Sequence, residues 1–144
     1  MLINVVTKIF FSKFQQKLKP SSMTNLDIKG TADTPSVFCD TNGELTMQGR
    51  SLPENPASFY YPILTWVSDF SKSHLKLIFK MEYLNTSSSK QLFELIKRVK
   101  NNENIKEIDI QWYYEEGDTD SLETGEHFSS ELKLPFEYIE VVEF

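Results

Sequence analysis

Cysteine is nearly absent: the 144 residues hold one, Cys39, so no internal disulfide can form. It lies in VFCD, a strand-like segment with no histidine or basic neighbour to lower its pKa, and this predicts a buried, inert thiol. A lone thiol suits a reducing compartment, so a cytoplasmic protein is expected. Histidine is as scarce: His74 and His127 form no pair at helical spacing, too few ligands for a zinc site, and no metal is expected. The five glycines build neither a phosphate-cradling loop nor a G-x-S-x-G elbow. Serines are plentiful, but none stands in a recognisable nucleophile motif with a plausible histidine or acid partner, so no catalytic residue and no cofactor are expected. No apolar run reaches the length of a membrane span. The acidic stretch EEGDTDSLETGE, 115–126, fails the EF-hand pattern of alternating acids, a sixth-position glycine and a twelfth-position glutamate, because Gly117 and Thr119 stand where acids are needed and Asp120 where the glycine is needed. It reads as a solvated helix start, with Asp118, Asp120 and Glu123 favoured by the helix dipole.

Basic charge is also in short supply over most of the chain. The formal charge is −6, yet residues 1–22 carry Lys8, Lys13, Lys17 and Lys19 without an acid, which leaves 11 basic and 21 acidic side chains, a charge of −10, in the remainder. An acidic body without a basic, aromatic-interleaved stripe repels nucleic acid, which excludes DNA or RNA as a partner. Lys8 breaks the apolar run near the start and no small-x-small site follows, so a signal peptide is not expected in residues 1–22. Val6, Phe10, Phe14 and Leu18 would share one helical face, as in a membrane-surface helix. The favoured reading is an N-terminal extension, or a misplaced start, before a self-sufficient domain spanning 23–144. One domain is what this length supports, and 40% hydrophobic residues, eleven of them Phe, supply its core.

Within 23–144 the periodicity switches repeatedly. NLDIKG is a short strand; VFCDTNGELTMQGR reads as two strands joined at Asn42-Gly43, a strong hairpin signal. In SLPENPASFYYPILTWVSDF, Phe59, Ile63, Val67 and Phe70 share a helical face with Tyr60 and Leu64 beside them. Pro62 either kinks that helix or marks its first turn. LKLIFKMEY alternates, with Leu75, Leu77, Phe79, Met81 and Tyr83 expected inward and Lys76, Lys80 and Glu82 outward. Leu92, Leu95, Ile96 and Val99 mark a second helix closing near Asn101-Asn102, and IKEIDIQWYY a strand with Ile108, Ile110, Trp112 and Tyr114 inward. A third helix over about 118–132 and a last strand in LPFEYIEVV complete the order β, β-hairpin, α, β, α, β, α, β. The expected class is α/β: one domain, a mixed sheet with an N-terminal hairpin, parallel crossovers and about three helices.

Between the strand ending at Tyr83 and the helix carrying Leu92 stand four consecutive hydroxyl residues, Thr86, Ser87, Ser88 and Ser89, after Asn85. Asn, Thr and Ser are preferred at helix N-termini, where a side-chain oxygen accepts from an unpaired backbone N–H. One cap uses one residue, and loop or first-turn preference accounts for the others. The same geometry admits a functional reading: a phosphate on Thr86 or Ser87 would sit beside free N–H groups at the positive end of the dipole, on a βα connection at the carboxyl end of a strand. A third reading keeps the site but makes it a noncovalent pocket for a small anion or nucleotide.

PENPASFYYPILTW (53–66), EYLNTSSSK (82–90), QWYYEEGD (111–118) and KLPFEYIEV (133–141), in this order, resemble the SiaC family of bacterial regulatory phosphoproteins over nearly all of 23–144. The resemblance implies a STAS-like fold of the anti-sigma-factor-antagonist type with no catalytic role. It implies control by phosphorylation of the threonine in the N-T-S-S block, here Thr86, with Asn85, Ser87 and Ser88 shaping the loop that partners recognise. It implies as partners a cognate Ser/Thr kinase, a PP2C-like phosphatase and a signalling target stimulated by the unmodified form, a diguanylate cyclase or similar output.

Overall fold

The computed structural model describes residues 23–144, so the reading of residues 1–22 as an extension lies outside the described residues. The elements are β1 (Leu26–Ile28), β2 (Ser36–Asp40), β3 (Glu44–Ser51), α1 (Pro56–Asp69), β4 (His74–Leu84), α2 (Thr86–Asn101), β5 (Glu107–Glu115), α3 (Thr119–Leu132) and β6 (Glu137–Val141). They follow the expected order.

The hairpin turns where Asn42-Gly43 predicts it. Asp40 Oδ1 accepts from the Asn42 N–H at 2.8 Å, and the Gly43 N–H closes onto the Asp40 carbonyl at 2.9 Å. Gly43 has φ of +119°, and a Cβ there would lie 2.8 Å from the His74 carbonyl oxygen, so only glycine fits. Pairing is antiparallel from β1 to β3, and parallel from β3 through β6. The six strands lie side by side in chain order.

That order decides where the helices go. Each parallel connection carries one helix and advances in the same direction, and right-handed crossovers advancing one way place all their helices on one face of the sheet. Burial agrees: Leu45 and Met47 of β3, Leu75, Leu77, Phe79 and Met81 of β4, and Ile110 and Trp112 of β5 are buried, and their neighbours in sequence are not. The helices complete the core with Tyr60, Ile63 and Val67 of α1, Leu92, Leu95, Ile96 and Val99 of α2, and Phe128 and Leu132 of α3. Burying one Leu, Ile or Phe side chain contributes about 1.5–3 kcal/mol, so the apolar stripe of each helix holds it to the sheet.

Two expectations need correction or resolution. Tyr83 does not point inward: it is 44% exposed. The β3–β4 register shifts from Gly49↔Met81 to Arg50↔Tyr83, so Glu82 is the extra residue of a bulge and the alternation reverses after it. Tyr83 thereby turns to solvent, where the Arg50 guanidinium lies 5.0 Å from its ring centroid. Leu84 packs against the core in its place. Pro62 lies inside α1, which starts six residues earlier at Pro56 under an Asn55 cap that accepts from the Ser58 N–H at 3.1 Å. The Pro62 ring is on the exposed side, where water can satisfy the carbonyl that loses its helical donor.

Candidate functional site

Asn85 follows the last residue of β4 and caps α2 from an extended backbone, φ −76° and ψ 171°. Its Oδ1 accepts from the Ser88 N–H at 2.8 Å, its own N–H donates to the Ser51 carbonyl at 3.1 Å, and its carbonyl accepts from the Ser89 N–H at 2.9 Å. The cap is therefore an amide side chain rather than one of the four hydroxyls. Three hydrogen bonds leave it one orientation.

The hydroxyls that follow separate by one helical turn's geometry. Thr86 and Ser87, the first two residues of α2, are exposed, whereas Ser88 is 0% exposed. Ser88 Oγ accepts from Ser51 Oγ at 2.8 Å, and Ser51 Oγ lies 2.8 Å from Tyr60 Oη. This buried chain joins the end of β3, the first half of α1 and the start of α2. Ser51 and Ser88 are the polar residues in the core, and every buried side-chain nitrogen or oxygen among the described residues has a partner. Ser88 is thus no surface element of a recognition loop: it shapes the turn from beneath, because its hydroxyl is consumed by Ser51 and its N–H by Asn85.

Ser51 and Tyr60 support the site from outside the hydroxyl run, and no motif marks them. A signal for Ser51 existed, since inward alternation from Leu45 and Met47 continues to position 51 and puts a hydroxyl where an apolar side chain belongs. Burial pushes the Tyr60 phenol above its ordinary 10.0, with the nearby Ser51 and Ser88 hydroxyls acting the other way.

Beside Thr86 a groove of about 730 Å³ opens between α2 and α3, lined by Thr86, Lys90 and Phe93 on one side and His127, Phe128 and Glu131 on the other. Gly125 sets the position of α3: a Cβ there would lie 2.9 Å from the Trp112 indole, whose Nε1 donates to the Ser121 carbonyl at 3.0 Å. Phe128 packs edge-on to Trp112 at 5.8 Å and to Phe93 at 5.4 Å, which spaces the two helices. The other histidine is remote. His74 Nε2 lies 2.6 Å from Asp109 Oδ2 on the uncovered sheet face.

The junctions that open α2 and α3 differ in charge. At the start of α3, Asp118 accepts from the Ser121 N–H at 3.0 Å and Asp120 occupies the first turn. The first turn of α2 contains no acid. Negative charge already meets the dipole at α3, and at α2 that position is held by neutral hydroxyls. Among the described residues no helix is long and apolar enough to cross a membrane.

Comparison with known proteins agrees with this architecture. The family model described as SiaC family regulatory phosphoprotein matches residues 28–141. An uncharacterized protein of Pseudomonas aeruginosa strain UCBPP-PA14 is 30% identical over 119 residues, 79% of this chain and 94% of that protein. The solved structure of SiaC of Pseudomonas aeruginosa superposes with a TM-score of 0.71 at 29% identity, covering 83% of this chain and all of the other. SiaC in the crystal structure of the diguanylate cyclase SiaD with its activator SiaC, also from Pseudomonas aeruginosa, gives 0.70 at 28% identity, over 81% of this chain and 99% of that one. The mixed α/β fold is that of these structures, and the chain belongs to the SiaC family of regulatory phosphoproteins.

Proposed function

We propose that this protein is a non-enzymatic binding module of the bacterial cytoplasm switched by phosphorylation of Thr86. A cognate Ser/Thr kinase transfers the terminal phosphoryl group of a nucleoside triphosphate to Thr86 Oγ1, releasing the hydroxyl proton and the diphosphate. A PP2C-like phosphatase hydrolyses the ester to the alcohol and inorganic phosphate. The regulated target is a signalling enzyme of the diguanylate cyclase type, the class that SiaC activates in the solved complex.

The observation that carries this reading is the contrast within one turn: Thr86 is exposed on a junction that Asn85, Ser88 and Ser51 hold rigid from below. A kinase can reach the hydroxyl without unfolding anything. A phosphate there carries about −1.5 to −2 charges, and at a helix N-terminus it is locally stabilised by about 0.3–1 kcal/mol. Modification therefore leaves the fold intact, and its effect falls on the partner. Burying that charge in an interface, or setting it against the partner's acids, costs several kcal/mol. Each 1.4 kcal/mol is tenfold in affinity, so one phosphate changes occupancy by orders of magnitude.

Mass spectrometry of the native protein, from cells that contain the kinase, tests the site. Phosphate at position 86, lost in Thr86→Ala, is the expected result. An unmodified residue 86 in those cells would overturn the assignment.

A further inference from the structure

Thr86 and Lys90 stand one helical turn apart on α2, and His127 and Glu131 one turn apart on α3, and all four line the groove between these helices. Its floor includes Phe93 and Phe128, whose edge-on contact keeps the walls at a set separation. Lys90 and His127 are both exposed, and among the described residues neither forms an ion pair. One wall thus presents a hydroxyl with an ammonium a turn away, and the facing wall an imidazole. No requirement of folding brings two nitrogen bases to the same small groove as an exposed hydroxyl.

We infer that a phosphate on Thr86 lies in this groove and is clasped by Lys90 and His127, tying α2 to α3 across it. This inference rests on the reading of Thr86 as the phosphoacceptor. The chemistry is that of a tethered dianion among donors. Lysine supplies three N–H groups, and imidazolium supplies a charged donor from each nitrogen. The first-turn amides of α2 add their partial positive charge from the third side. An exposed ion pair alone contributes little, because holding two side chains in one geometry offsets the Coulomb gain. Here the anion is covalently placed, so only the cations have to be ordered. Glu131 opposes the clasp by repulsion, against the Lys90 ammonium and the N–H donor of His127.

Two consequences follow for the switch. The modified protein closes its own groove, so a partner that needs the groove meets a filled surface as well as a charge. The grip also depends on pH near neutrality, since the phosphate's second proton, with a pKa of about 6, is lost in that range and the dianion is held more strongly than the monoanion.

The test uses the full chain with phosphothreonine encoded at position 86 during synthesis, followed by phosphorus NMR and by the ring signals of His127 over about pH 5 to 8. The phosphate is expected to lose its second proton at a pH lower by about half a unit or more than in an unstructured peptide of the same sequence. The ring signals of His127 are expected to differ between the modified and the unmodified chain. Lys90→Gln and His127→Gln should each return the phosphate toward the peptide value, and Glu131→Gln should move it further away. All three positions are exposed, so the variants fold, and melting curves verify this. A phosphate that titrates as in the peptide, with His127 unchanged by modification, overturns the clasp. Because the phosphothreonine is encoded, this outcome is independent of whether cells modify Thr86, which mass spectrometry decides.

Discussion

Ser87 and Ser88 are chemically the same and adjacent, yet one faces water and the other the core. Truncating Ser88 to alanine strands the Ser51 donor in a buried site, which costs about 1–3 kcal/mol. Ser87→Ala changes an exposed side chain and should stay within about 0.5 kcal/mol. Urea unfolding of both variants decides the matter, and equal losses would contradict the buried chain. Cys39 gives a second check. Burial pushes its thiol from 9.0 up to about 12. Below about pH 8 the thiol is protonated whether the chain is folded or not, so it adds no pH dependence there. As the pH passes 9.0 the unfolded chain releases the proton and the folded chain retains it, so stability declines between about 9 and 12. Replacing Cys39 with alanine should remove part of that alkaline decline in thermal melts, and an unchanged slope would show that the thiol is not sealed.

The start of α2 is the element on which the site depends, and Asn85 is its anchor. Asn85→Ala should destabilise the protein by about 1 kcal/mol, the usual loss for an N-cap, and Asn85→Asp, which keeps the accepting oxygen, should lose much less. Chemical denaturation of the pair checks this; similar losses would mean that the cap bond is not what holds the turn. Much at this level was legible in the amino-acid order, because amphipathic period and turn chemistry are local. Ile63 and Val67 mark α1, Leu92 and Val99 mark α2, Asn42-Gly43 marks the hairpin, and Asp118 and Asp120 mark the start of α3. Tyr83 was misread because a bulge at Glu82 is set by the register of β4 against β3, which no alternation within LKLIFKMEY reveals. Pro62 was ambiguous for a related reason. Its tolerance depends on which side of α1 meets solvent, a property of packing.

Assembly of the sheet in chain order brings distant segments to one place: Ser51 from the end of β3, Tyr60 from α1, Ser88 from α2, and His127 from α3 beside Thr86. The hydroxyl run was visible as a motif, and its resemblance to a phosphoprotein family singled out Thr86. The division of labour among those hydroxyls was not visible, since it depends on Ser51, which is 37 positions away from Ser88. Nor was the groove, because His127 and Thr86 come together only when two crossovers place their helices on the same face of the sheet. With the helices there, the opposite face carries Phe38, Lys76, Lys80 and Tyr113 toward solvent, and the Lys80 ammonium lies 4.8 Å from the Tyr113 ring centroid. The molecule thus has a rigid helical layer that presents Thr86 and a separate polar sheet face. The central claim is that one phosphate on Thr86 controls partner binding without disturbing this fold. Calorimetric titration of the diguanylate cyclase from the same organism with the unmodified chain, and with the chain carrying encoded phosphothreonine at 86, tests it most directly. The account predicts that the unmodified chain binds and that the phosphate weakens binding by at least about tenfold, or 1.4 kcal/mol; equal affinity of the two forms would contradict it.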